Sequence, residues 1–168
     1  MQNIHPYFVH FPLALLAIGL LWDIFGVVLK KESILHAGWW AQLFGVLAII
    51  AAAGTGLIAA NTVAHPEAAH EIMETHETMM LIAAGTLLAL FVWRSILKSH
   101  LPSKKIFLVI YLIIATGAVV TMLAGAHLGG KMVYEFGVGG SAVPQAESIE
   151  HHHLHHEAGQ SESSDTTK

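Results

Sequence analysis

Histidine is the side chain in this sequence best equipped to do chemistry. The chain carries 13 of them in 168 residues, more than its 8 lysines and arginines together. Imidazole changes charge near neutral pH, ligates metals, and takes the axial positions of haem iron. Five of the histidines stand in one run, His151, His152, His153, His155 and His156, which can bind divalent metal whatever its biological role. His65, His70 and His76 follow one another at spacings that do not share one helical face, so they make no strong zinc motif. Cysteine is absent, which excludes disulfides, iron–sulfur clusters, thiolate zinc sites, cysteine nucleophiles and covalent c-type haem attachment. No phosphate-binding loop, hydrolase triad or H-E-x-x-H motif occurs.

The elements that must position these side chains are membrane helices. Hydrophobic residues make up 54% of the chain and Asp, Glu, Lys and Arg only 12%, half the usual share of a soluble domain. Four apolar stretches are each long enough to cross about 30 Å of hydrocarbon: roughly Phe8–Leu29, Trp39–Ala60, Thr78–Leu97 and Ile106–Ala126. The expected architecture is all-α, an integral membrane up-and-down four-helix bundle in residues 1–140. The first stretch lacks a basic leader and reads as a retained helix rather than a signal peptide. Residues 141–168, rich in Glu, Ser and His, are expected to form a disordered tail. A net charge of −4 argues against a nucleic-acid binder, which wants a basic surface.

Loop charges set an expected orientation. Lys30, Lys31, Arg94, Lys98, Lys104 and Lys105 flank the first–second and third–fourth connections, and the second–third connection has no basic residue. By the positive-inside rule both termini lie outside the cytoplasm. His5, His10, His65, His70, His76 and His127 then gather at the outer ends, beside Glu67, Glu71, Glu74 and Glu77, leaving only His36 and His100 at the inner ends.

A weak internal repeat pairs His10 and Gly19 with His76 and Gly85, nine residues apart in each case. The first and third helices of an up-and-down bundle face each other diagonally. His10 and His76 are therefore the expected cofactor pair, axial ligands of a non-covalent haem b, with His127 beside them. The same side chains could instead hold zinc or copper, with His65, His70, the tail histidines and Glu77 contributing. A third reading leaves the histidines as helix caps, cross-bundle hydrogen bonds or a proton relay. Asp23 sits inside the first span toward the cytoplasmic side and is expected either to pair with a counter-charge such as Arg94 or to serve a proton path. Trp22, Trp39, Trp40 and Trp93 read as interfacial anchors, and Met73, Met79 and Met80 as packing rather than copper ligands.

Two segments carry a family resemblance. His5-Pro6, then Val9-His10-Phe11-Pro12-Leu13-Ala14-Leu15-Leu16 with Asp23 behind it, resembles the opening of the DUF2231 family of bacterial four-helix membrane proteins. The run Gly129-Gly130-Lys131-Met132-Val133-Tyr134-Glu135-Phe136-Gly137-Val138-Gly139 is similar to that family's closing signature, with Phe136 where many members have a histidine. The resemblance implies a multi-pass protein of the bacterial inner membrane. The association of family members with cytochrome-type domains implies membrane redox work. Two function classes follow. One is a redox carrier passing electrons between quinone or a membrane partner and an acceptor at the outer face, an electron carrier more than an enzyme. The other is a non-redox zinc or copper protein or accessory subunit, in homo- or hetero-oligomers.

Overall fold

The computed structural model describes residues 5–63, 66–97 and 99–138. Among them four α-helices follow in order, α1 (His5–Leu29), α2 (Glu32–Thr62), α3 (His70–Ile96) and α4 (Lys105–Tyr134). A single 3₁₀ turn, Glu67–Ala69, leads into α3. All four helices are long and apolar enough to cross a membrane. The architecture is the all-α bundle expected from the apolar lengths. The helices outrun those lengths, most at the starts of α2 and α3 and at the end of α4. Apolar length measures the hydrocarbon to be crossed, whereas backbone hydrogen bonding continues through Glu71, Glu74 and His76 into the interface. The tail, with His151 to His156, and His65 lie outside the described residues.

Packing divides the bundle into two hairpins. α1 lies mainly on α2 and α3 mainly on α4, with lighter α2–α3 and α1–α4 seams. The core joins the hairpins through Leu16, Val46, Ile49, Ala83, Leu87 and Met122. Outside it, Phe25, Phe44, Leu47, Ile58, Ile113 and Val120 are all exposed. A water-soluble protein would not tolerate that coat of large apolar side chains; acyl chains are its natural solvent.

The burial pattern shows a repeat stronger than the one read from the sequence, and in a different register. Pro12, Leu16, Gly19 and Asp23 are buried in α1, and their counterparts 71 residues on, Ala83, Leu87, Leu90 and Arg94, are the buried positions of α3; Gly26, also buried, matches the half-buried Leu97 just past α3. Gly38, Gln42, Gly45, Val46, Ile49 and Ala52 in α2 correspond at an offset of 73 to Tyr111, Ala115, Ala118, Val119, Met122 and Gly125 in α4, all buried. The two hairpins run in the same direction, as parallel repeats about an axis along the membrane normal do. Gly19 and Gly85 are not equivalent. Gly19 packs against Ala41 and Gln42 of α2, while Gly85 faces open space.

Candidate functional site

The register of that repeat decides which histidines point inward. At an offset of 71 the partner of His76 is His5, and both are half-buried at the same end of the bundle. His10 corresponds to Leu81, and His127 corresponds to Gly54. All four of those positions are exposed on the outer surface of the helices. Of the three histidines expected to bind a cofactor, the structure therefore keeps His76 inside and turns His10 and His127 outward. The inward partner, His5, is one the sequence reading placed in the cluster without choosing it.

Each inward imidazole is held by the neighbouring helix of its own hairpin. His76 Nδ1 lies 2.7 Å from the Gly125 carbonyl. A carbonyl only accepts, so Nδ1 carries the proton and the ring's lone pair sits on Nε2. His5 Nδ1 lies 3.2 Å from Thr55 Oγ1. The Thr55 hydroxyl is already donated back to the Ala51 and Ala52 carbonyls, at 3.1 and 3.0 Å, so it meets His5 as an acceptor. His5 then has the same tautomer as His76. Both rings rest over glycines. A Cβ at Gly56 would come 2.9 Å from His5 Cε1, and one at Gly129 would come 3.0 Å from His76 Cε1. Gly129 thus has a reason to stand inside α4 despite costing about 1 kcal/mol of helix propensity against alanine.

Burial pushes the His5 pKa below its ordinary value, the neighbouring His76 lowers it further, and a hydrogen bond at the Ala52 carbonyl pulls the other way. His5 is accordingly neutral at neutral pH, the state in which imidazole offers a lone pair.

The other candidate ligands are placed differently. His70 is exposed, 3.3 Å from Glu74 one turn along α3. Glu77 is half-buried beside His76 in sequence. Among the described residues no three His, Asp or Glu side chains converge as a metal cage. Met80 packs against α4 at Gly125 and borders the apolar core, in keeping with a packing role.

At the opposite, lysine-bearing end lies the counter-charge that Asp23 requires. Arg94 Nη1 donates to Asp23 Oδ2 at 2.6 Å and Oδ1 at 2.8 Å. The same nitrogen reaches Gln42 Oε1 at 3.4 Å, and Gln42 Nε2 donates to the Tyr111 hydroxyl at 3.0 Å. Arg94 Nη2 and Nε donate to the Leu35 and Ser99 carbonyls, at 2.9 and 3.1 Å. The guanidinium also lies 5.8 Å from the Trp39 ring centroid, and Trp39 stacks on Phe91. Asp23, Gln42, Arg94 and Tyr111 are 6% exposed or less, yet no buried side-chain polar atom among the described residues lacks a partner. This is a satisfied clamp, and it ties α1 to α3 across the diagonal. Beneath it, beside Leu16 and Leu87, a cavity leaves about 10 Å³ for the centre of a water molecule, enough for one.

Gly38 makes the clamp possible, because a Cβ there would collide with the Asp23 carboxylate. Gly38→Ala is expected to cost about 1–3 kcal/mol, the usual range for overpacking a fixed interior. Unfolding in graded denaturing detergent, followed by circular dichroism, measures it. A loss no greater than that of Gly54→Ala, at an open position, would show that the carboxylate simply moves aside.

No curated protein and no solved structure matches the chain. One family model does, that of the predicted membrane protein DUF2231, over residues 1–142. That span takes in all four helices and both segments that carried the resemblance, and the chain belongs to the DUF2231 family of predicted membrane proteins.

Proposed function

We propose that the protein is a membrane redox carrier in which His5 and His76 would hold one haem b. The observation that carries this reading is the pair itself. Two half-buried imidazoles come from equivalent positions of the two hairpins, each with Nδ1–H committed and its lone pair on Nε2. Backbone or side-chain acceptors that fix the far ring nitrogen in this way orient an imidazole for a metal. Axial ligation needs two donors, and two are present. A zinc or copper site wants three or four, and would have to recruit them from His65 or the tail.

In this reading haem supplies reversible one-electron transfer, and the chain supplies the rest. Gly56 and Gly129 leave room for the imidazoles close against α2 and α4. The apolar core below them, from Met80 and Met122 to Leu16 and Leu87, keeps the inner side of the site dry. The lysines at the far end orient the bundle so that the histidine end faces outward. Electrons then arrive from quinone or a membrane partner and leave to an acceptor at the extracytoplasmic face of a cell membrane.

Protein purified after expression with a haem supply is expected to show a Soret absorption that shifts on reduction, and close to one haem per chain by pyridine haemochrome. Colourless protein carrying zinc or copper would favour the non-redox reading. Colourless, metal-free protein that also fails to take up added hemin would remove both.

A further inference from the structure

The lysine-bearing end holds a second polar feature, distinct from the histidine pair. A cleft between the start of α2 and the α3–α4 connection is lined by Glu32, Leu35, His36, Ser99, His100 and Leu101. It leaves about 110 Å³ for the centres of water molecules, several times what one water needs. Both of its walls are fixed from behind by one buried side chain. Arg94 donates to the carbonyl of Leu35 on one wall and to that of Ser99 on the other. Ser99 is held at φ +67°, the left-handed region that a serine rarely adopts. Its N–H bonds the Arg94 carbonyl while its own carbonyl takes the Arg94 guanidinium, so the conformation is fixed on both sides. Strain held in this way clusters at active sites, ligand clamps and switch regions.

The chemistry of the lining is mixed. Glu32 is an acceptor for a cation; His36, His100 and Ser99 are donors suited to phosphate oxygens; Leu35 and Leu101 are apolar. The cleft opens where the helices leave the hydrocarbon, and Lys30, Lys31, Lys104 and Lys105 stand at that same end. We infer that this cleft binds the headgroup of an aminophospholipid, with the primary ammonium on Glu32 and the phosphate on His36, His100 and Ser99. The four lysines raise the local concentration of anionic groups, but Glu32 disfavours a ligand that is only anionic. A headgroup with both charges satisfies the whole lining, and a quaternary ammonium, having no N–H, cannot donate to Glu32.

The test is native mass spectrometry of the full chain reconstituted in vesicles of equal parts phosphatidylethanolamine, phosphatidylglycerol and phosphatidylcholine. Phosphatidylethanolamine is expected to be retained about tenfold over the other two, a difference of about 1.4 kcal/mol. Glu32→Gln should erase that preference, and the His36→Ala, His100→Ala double variant should lower retention of phosphatidylethanolamine itself. All three residues are exposed, so these variants keep the fold, which circular dichroism verifies. Ser99→Gly removes the hydroxyl and the strain together. It should raise thermal stability while lowering retention, a combination that a purely structural serine would not give. Equal retention of the three lipids, or a preference untouched by Glu32→Gln, would overturn the inference. So would displacement of the lipid by millimolar inorganic phosphate, which would make free phosphate the ligand.

Discussion

Arg94→Ala is expected to destabilise the protein by about 3–5 kcal/mol, the cost of leaving a buried charge without its partner. The guanidinium is fully buried, and its removal strands the Asp23 carboxylate inside the bundle, near the lysine-bearing end of α1. The cavity beside that carboxylate holds about one water, too little to solvate a charge. The loss also frees the Leu35 and Ser99 carbonyls that the guanidinium had satisfied. Denaturing-detergent titration of the purified variant measures the effect. The Asp23→Leu, Arg94→Met double variant separates charge from geometry. Because it buries no ion, it should recover much of the loss, as buried pairs replaced by apolar side chains commonly do. A single variant that unfolds like the parent would mean that the clamp contributes nothing net.

The other large effect is expected at the histidine end. If His5 and His76 hold the proposed haem, His5→Ala and His76→Ala should each lower bound haem by about tenfold or more, since each removes one of the two residues that would hold it. His10→Ala and His127→Ala should leave the spectrum unchanged, because both side chains lie on the outer surface of the bundle. Thr55→Val, which keeps the shape but removes the acceptor for His5 Nδ1, should weaken haem retention within the 10–100-fold range typical of such supporting bonds. The bundle itself should still insert in every case, because insertion follows apolar length. A spectrum that survives His5→Ala and vanishes with His10→Ala would restore the pair that spacing alone suggests.

The contrast between those two pairs shows what the sequence made legible. Apolar length gave four helices, and the cost of a carboxylate in hydrocarbon gave Asp23 a partner in Arg94, which the structure holds at 2.6 Å. The register error came from aligning glycines. Gly19 is an interior contact and Gly85 faces open space, and glycine composition cannot tell the two apart. The Asp23–Arg94 pair contained the better ruler. Matching its 71-residue offset from the same helices leads from His76 to His5. His5 was easy to pass over because it precedes the apolar stretch and reads as part of the interface. The cleft at the other end was not legible, since Glu32, His36 and His100 meet only through the path of the α3–α4 connection.

The equivalence of Asp23 and Arg94 has a consequence for assembly. The two hairpins match in burial and direction, so either could dock against a copy of itself on the same axis. Opposite charges at the equivalent position forbid it. Two first hairpins would set carboxylate against carboxylate, and two second hairpins guanidinium against guanidinium. Only the unlike pair, a first hairpin with a second, neutralises itself. The clamp therefore selects unlike over like pairing of the two hairpins.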